Sequence, residues 1–337
     1  MTARLGIRHF ERVAQTRRLG ILSDIHYASA PEQARGDDYE YRDLRNPLLR
    51  TVLMLCRRFI WQRHPVRQNH LLEAFLSRAG PLDLVVANGD YSCDSKFVGV
   101  SDDAACQSAR ECLALLRARF GPKLRATLGD HELGKVSFFG MRGGMRLASW
   151  RRATGELELS PFWQERLGNY VLMGLVSSLV ALPLFEADML PEERPEWERL
   201  RAEHLAEVRR AFAGLRPGQR VLLFCHDPSA LPFLSREEAV RRGLPQIEHT
   251  IVGHLHSQWV LRQSRLLAGM PRVSFLGHTP RRYTAALRHA RLWRPFRVRL
   301  CPSLAGLELL KDGGFYTAEL DCQGERPARF QFHRLGR

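Results

Sequence analysis

Eight side chains able to ligate a metal or move a proton stand where apolar runs give out. The runs are "LGILSDIH", "LDLVVANGD", "KLRATLGDHE", "RVLLFCHD" and "HTIVGHLH", and the residues are Asp24, His26, Asp90, Asp130, His131, His226, His254 and His256. On an extended chain residues i and i+2 share a face, so Asp24 and His26 are expected to grip one ion from the end of a strand. Asp-x-His alone is a common chance pattern; the ordered series is what carries weight. Carboxylate and imidazole donors without a thiolate suit Mn, Fe or Zn better than Ca or Mg. The donors are too many for one closed site, so two divalent transition-metal ions sharing a carboxylate are expected. A glycine precedes Asp90, Asp130 and His254, and is expected to let the backbone turn sharply there.

Residues so scattered need a scaffold that gathers strand ends. Helical spacing separates the runs, as at Leu71, Leu72, Phe75, Leu76 and Ala79, and again at Cys112, Leu115, Leu116 and Phe120. Alternating strand and helix predicts an α/β fold with a largely parallel sheet, whose ligands collect at the carboxyl ends of its strands. Two insertions break the rhythm of this single domain, residues 1–337. The first, residues 27–70, has an apolar stripe of Leu48, Leu49, Val52, Leu55, Cys56, Phe59 and Ile60 beside Arg57 and Arg58. It is expected to be a helical cap packed on the core, in preference to a membrane-surface helix. The second, a basic loop at 134–166 rich in Arg, Gly and aromatic residues, is expected to overhang the pocket. Beyond His256 the chain reads as strand-rich ("PRVSFLGH", "PFRVRLCPSL", "GGFYTAELD"), as a second sheet packed on the first would be.

Lys plus Arg number 51 against 36 Asp plus Glu, a formal charge of +15, and only Lys96, Lys123, Lys135 and Lys311 are lysines. Such a balance admits phosphates, nucleic acid and anionic membranes as partners. The seven cysteines form no CxxC pair, which argues against a disulfide framework or a zinc knuckle. The stretch "MTARLGIRHFERVAQTRRLG" has no apolar core of signal-peptide length, and "YVLMGLVSSLVALPLF" falls short of the roughly 20 residues of a spanning helix. A cytoplasmic protein without a transmembrane segment is expected, with "YVLMGLVSSLVALPLF" a buried strand and its loop.

The order Asp-x-His, Gly-Asp, Gly-Asn-His-Glu, His, Gly-His-x-His resembles that of the calcineurin-like metallophosphoesterases, here as "SDIH", "NGDYS", "LGDHE", "CHDP" and "VGHLH". The resemblance implies a four-layer α/β/β/α sandwich with a dinuclear centre between its sheets. One ion would take Asp24, His26 and His256, the other Asp130, His226 and His254, and Asp90 would bridge them. His131 would face the substrate phosphate, and metal-activated hydroxide would hydrolyse a phosphate ester or anhydride. Asp130 departs from the family's Asn and leaves the implied centre one charge more negative, which is expected to weaken its hold on phosphate. His278, in "VSFLGHTP", lacks a second His and is assigned to the structure or the pocket rim. A phosphorylated small-molecule or lipid-linked substrate, with peripheral membrane contact, ranks first. A nuclease ranks second, on the arginines interleaved with Tyr283, Trp293 and Phe296 in the segment 281–299. A catalytically weak binding or scaffold protein ranks third.

Overall fold

The computed structural model describes residues 16–137, 141–273 and 278–335. The strands among the described residues are β1 (Thr16–Leu22), β2 (Leu84–Ala87), β3 (Leu124–Ala126), β4 (Phe162–Leu167), β5 (Tyr170–Leu175), β6 (Arg220–Cys225), β7 (Ile247–Val252), β8 (Val298–Leu300), β9 (Gly314–Asp321) and β10 (Arg329–Arg334). They form two five-stranded sheets, ordered β10-β9-β1-β2-β3 and β4-β5-β6-β7-β8. Within the first, β1, β2 and β3 run parallel, while β9 lies antiparallel to β1 with Leu19 opposite Ala318. In the second, β5 to β8 run parallel and β4 is an antiparallel edge.

Period-2 alternation decides what each strand buries. Leu19, Ile21 and Val86 meet Leu172, Leu222 and Phe224 between the sheets. The intervening Val171, Met173, Val221 and Leu223 point to the outer face with the helices. On the first sheet lie α2 (Asn69–Arg78) and α3 (Asp103–Phe120), with Phe75 edge-on to Phe315 at 4.8 Å. Asp102 caps α3 by accepting from Ala105 N, and Gly121 ends it at a φ of 53°, a left-handed stop that glycine adopts without strain. On the second sheet, α5 (Arg194–Ala213) buries Trp197, Leu205, Val208 and Phe212. The order of layers is therefore helix, sheet, sheet, helix. Further helices among the described residues are α1 (Pro47–Phe59), α4 (Asp130–Leu133), α6 (Glu238–Gly243), α7 (Gln258–Leu266) and α8 (His278–Arg288).

Several sequence expectations are corrected here. All five apolar runs do become strands, and the long apolar run supplies the wholly buried β5. The region after His256 differs: α7 and α8 precede β8, and β9 and β10 extend the first sheet instead of building the second. The stripe of α1 does not pack on the core, since no residue of this helix is buried. Trp293 and Phe296 are core residues while Tyr283 is exposed, so the arginines of that segment are not interleaved with surface aromatics as expected. The end of the second insertion is not a loop at all, because β4 occupies 162–167. The side chain of His278 lies outside the described residues. All seven cysteines are free thiols, and among the described residues no helix is long and apolar enough to cross a membrane.

Candidate metal centre

The eight residues singled out from the sequence converge. Four overlapping groups form, each with its ligand atoms within 4.8 Å of one another: Asp24, His26 and His256; Asp130, His226 and His254; Asp24, Asp90 and His226; and His26, Asp90 and His131. Asp24 and His26 follow β1, Asp90 follows β2, and Asp130 and His131 open α4 just beyond β3. His226 follows β6, and His254 and His256 follow β7. The cluster thus takes five residues from the first sheet and three from the second, at the carboxyl ends of parallel strands.

Asp24, His26, Asp90, His254 and His256 all have φ between 49° and 61°. Left-handed backbone at non-glycine residues costs on the order of 1–3 kcal/mol each and clusters at functional sites. It also corrects the extended-strand argument for Asp24 and His26: β1 ends at Leu22, and a left-handed kink at both residues turns the two side chains into the same group. Gly89 takes the left-handed turn expected of it, with a φ of 91°, but the other two glycines need a second correction. A Cβ on Gly129 would collide with Asp90, and one on Gly253 with Ser23 and Asp24. Neither residue has positive φ; close approach is what requires them.

Hydrogen bonds fix the donors. His226 Nδ1 lies 2.6 Å from the Asn88 carbonyl, which makes it the protonated nitrogen and leaves Nε2 free, 3.1 Å from Asp90 Oδ2 and 3.2 Å from Asp130 Oδ1. His26 Nδ1 sits 3.2 Å from the Ser92 carbonyl, so its Nε2 likewise faces the site. Asp24 accepts from Ser23 Oγ at 2.6 Å and from His254 N. Asp90 Oδ1 accepts from His131 N at 3.0 Å, while Asp90 Oδ2 and His226 Nε2 are buried with no hydrogen-bond partner among the described residues. Unpartnered buried atoms of ligand type, aimed at one another, fit a cation.

Electrostatics point the same way. Burial works against charge at His226, yet the nearby carboxylates of Asp90 and Asp24 hold its pKa well above the usual imidazole value. Burial opposes the Asp130 charge too, but Lys135, His254 and His226 hold its carboxyl well below the ordinary range. The site therefore draws in positive charge. His131 is the exception: burial lowers its pKa to about 3, against the pull of Asp90, and Lys135 adds to the lowering.

Two contributors were not singled out from the sequence. Glu132 accepts from the backbone N–H groups of Gly129, Asp90 and Tyr91 at 2.8, 3.0 and 2.8 Å, clamping the Asp90 loop to α4. Lys135 Nζ stands 3.3 Å from Asp130 Oδ2 and contacts His131 Nε2. It is one of four lysines in the chain, and that rarity beside "LGDHE" was the available signal. From the first insertion, the Trp61 ring lies 5.2 Å from that of His256 and walls one side of the site. Arg142 of the second insertion bonds the carbonyls of Tyr39 and Glu40 in the first, both at 3.1 Å.

No protein-family model matches this sequence, and no curated protein matches it. Among solved structures, the chain is similar to a dimetal phosphatase from Danio rerio, at 15% identity over 95% of this chain and 97% of that one, with a TM-score of 0.49. It is also similar to the phosphopantetheinyl hydrolase of Mycobacterium tuberculosis (16% identity, 72% of this chain and 84% of that one, TM-score 0.35). A metallophosphoesterase from Sphaerobacter thermophilus matches at 13% identity over 95% of this chain and 88% of that one, with a TM-score of 0.34.

Proposed function

We propose that the chain is a metal-dependent phosphoesterase hydrolysing a phosphate ester or anhydride, with a small or lipid-linked phosphorylated molecule as substrate. The observation that carries this reading is the set of four overlapping Asp/His groups, with Asp90 Oδ2 and His226 Nε2 buried and left without a hydrogen-bond partner among the described residues. Asp24, His26 and His256 would hold one divalent transition-metal ion and Asp130, His226 and His254 a second. Asp90, which belongs to groups containing residues of both sets, would serve the two. Bound there, the ions would supply Lewis acidity that ionises an attacking water and offsets charge on the phosphoryl oxygens.

The chain's own residues do the rest. Glu132 holds the Asp90 loop rigid, and Ser23 and His254 N–H fix the Asp24 carboxylate. Lys135 places an ammonium at the edge of the cluster, where it can bind a phosphoryl oxygen. His131, kept neutral with Nε2 against the Lys135 ammonium, would relay a proton from that ammonium to a leaving substrate oxygen. Trp61 offers an apolar wall beside the reacting centre. The burial of Trp293 and Phe296 removes the observation that favoured a nuclease, and a complete donor set disfavours a scaffold role.

Metal analysis with monoester and diester assays tests the reading. The wild-type chain is expected to bind up to two Mn, Fe or Zn ions and hydrolyse at least one ester; binding none and hydrolysing neither overturns it. Asp90→Ala should lose more metal than any other single change. His131→Ala should keep its metal and lose roughly 10²–10⁴ in turnover, and parallel loss of metal would make His131 a ligand.

A further inference from the structure

Helix α1 presents Leu48, Val52, Leu55 and Phe59 along one face, 74, 54, 46 and 58% exposed. They recur at i, i+4, i+7 and i+11, the stripe a helix normally turns inward. The stripe continues onto Leu309, 65% exposed, because Leu309 N donates to the Ile60 carbonyl and Glu308 N to that of Trp61. The helix is anchored, not loose: Asn46 caps it, and Arg57 pairs with Glu40. Between Asp43 and Glu73 the chain has no acidic residue but six arginines, at 45, 50, 57, 58, 63 and 67. Arg45, Arg50 and Arg58 are exposed and have no ion pair among the described residues.

From this we infer that α1 docks the protein on an anionic lipid bilayer, inserting its Leu48, Val52, Leu55 and Phe59 face between headgroups that its arginines bind. A surface combining apolar side chains with unpaired positive charge matches such an interface. A second copy of the chain does not match it, since a two-fold contact would bring the two arginine-rich segments together. The helix runs directly into Ile60 and Trp61, whose ring neighbours His256, so a docked bilayer lies beside the metal cluster. Docking needs no catalysis and is measured apart from it.

The test is flotation of the full chain with vesicles of phosphatidylcholine alone and of phosphatidylcholine mixed with phosphatidylglycerol. Binding is expected to the anionic vesicles, to weaken with added salt, and to fall by more than about tenfold in the double variant Leu55→Glu/Phe59→Glu, which removes two inserted side chains. The variant should keep its circular dichroism and metal content, as both residues are exposed. Failure of the wild type to float with anionic vesicles overturns the inference, as does unchanged flotation of the variant. So does sedimentation showing a wild-type dimer that the variant abolishes while flotation is unaffected, since a second copy would then cover the stripe.

Discussion

Asp130 and Lys135 form one unit. With Nζ 3.3 Å from Oδ2, the lysine offsets the charge that distinguishes Asp130 from an asparagine, so the weakened phosphate binding expected from the sequence does not follow from the pair. Asp130→Asn alone leaves Lys135 uncompensated: inorganic phosphate should bind more tightly and metal more weakly. Lys135→Met alone should do the reverse, and the double variant should return toward wild type. Calorimetric titration of metal and phosphate across the four proteins should give a coupling on the order of 1–3 kcal/mol; additive effects would show that the two charges do not interact. The eight site residues were readable because each terminates an apolar run. Lys135 and Glu132 were not, since one acts across a tight turn at Gly134 and the other through backbone N–H groups of a different loop.

At the scale of the element, α5 carries a buried titratable link to the second sheet. His204 Nε2 accepts from Val176 N at 3.1 Å, at the end of β5, and burial lowers its pKa from 6.5 to about 4. The unfolded chain takes this proton first as pH falls. Its contribution is therefore full above the unfolded pKa of 6.5 and is lost on the way down to about 4, an effect of up to about 3 kcal/mol. His204→Gln retains an acceptor for Val176 without titrating, so urea denaturation across this range should show a flatter pH dependence than wild type. Equal slopes would remove His204 as a contributor. The helix α1 shows the limit of periodic reading: a repeat of 3.6 fixes which side chains share a face, but not what covers that face, and here the described residues leave it open.

For the whole molecule, the cluster joins both sheets, so an ion held there stabilises only the docked pair. Binding restricted to the native state adds about 2.7 kcal/mol at a hundredfold excess over Kd. Chelation should lower Tm by several degrees, and Asp90→Ala should make Tm insensitive to the chelator; a chelator effect of equal size in both would place the stabilising ion elsewhere. The alternation of strands and helices was enough to read an α/β fold with a largely parallel sheet, and the four-layer sandwich came from the motif resemblance, but nothing local marked which sheet the last strands would join. They join the first, where β9 flanks β1, and this sets an order of events on the ribosome. Leu19 emerges long before its partner Ala318, so the strand leading to Asp24 and His26 stays half-paired until residues 314–321 are made. Such distant pairing folds slowly, and cation loading is therefore expected to follow the emergence of residues 314–321 rather than that of Asp24 and His26.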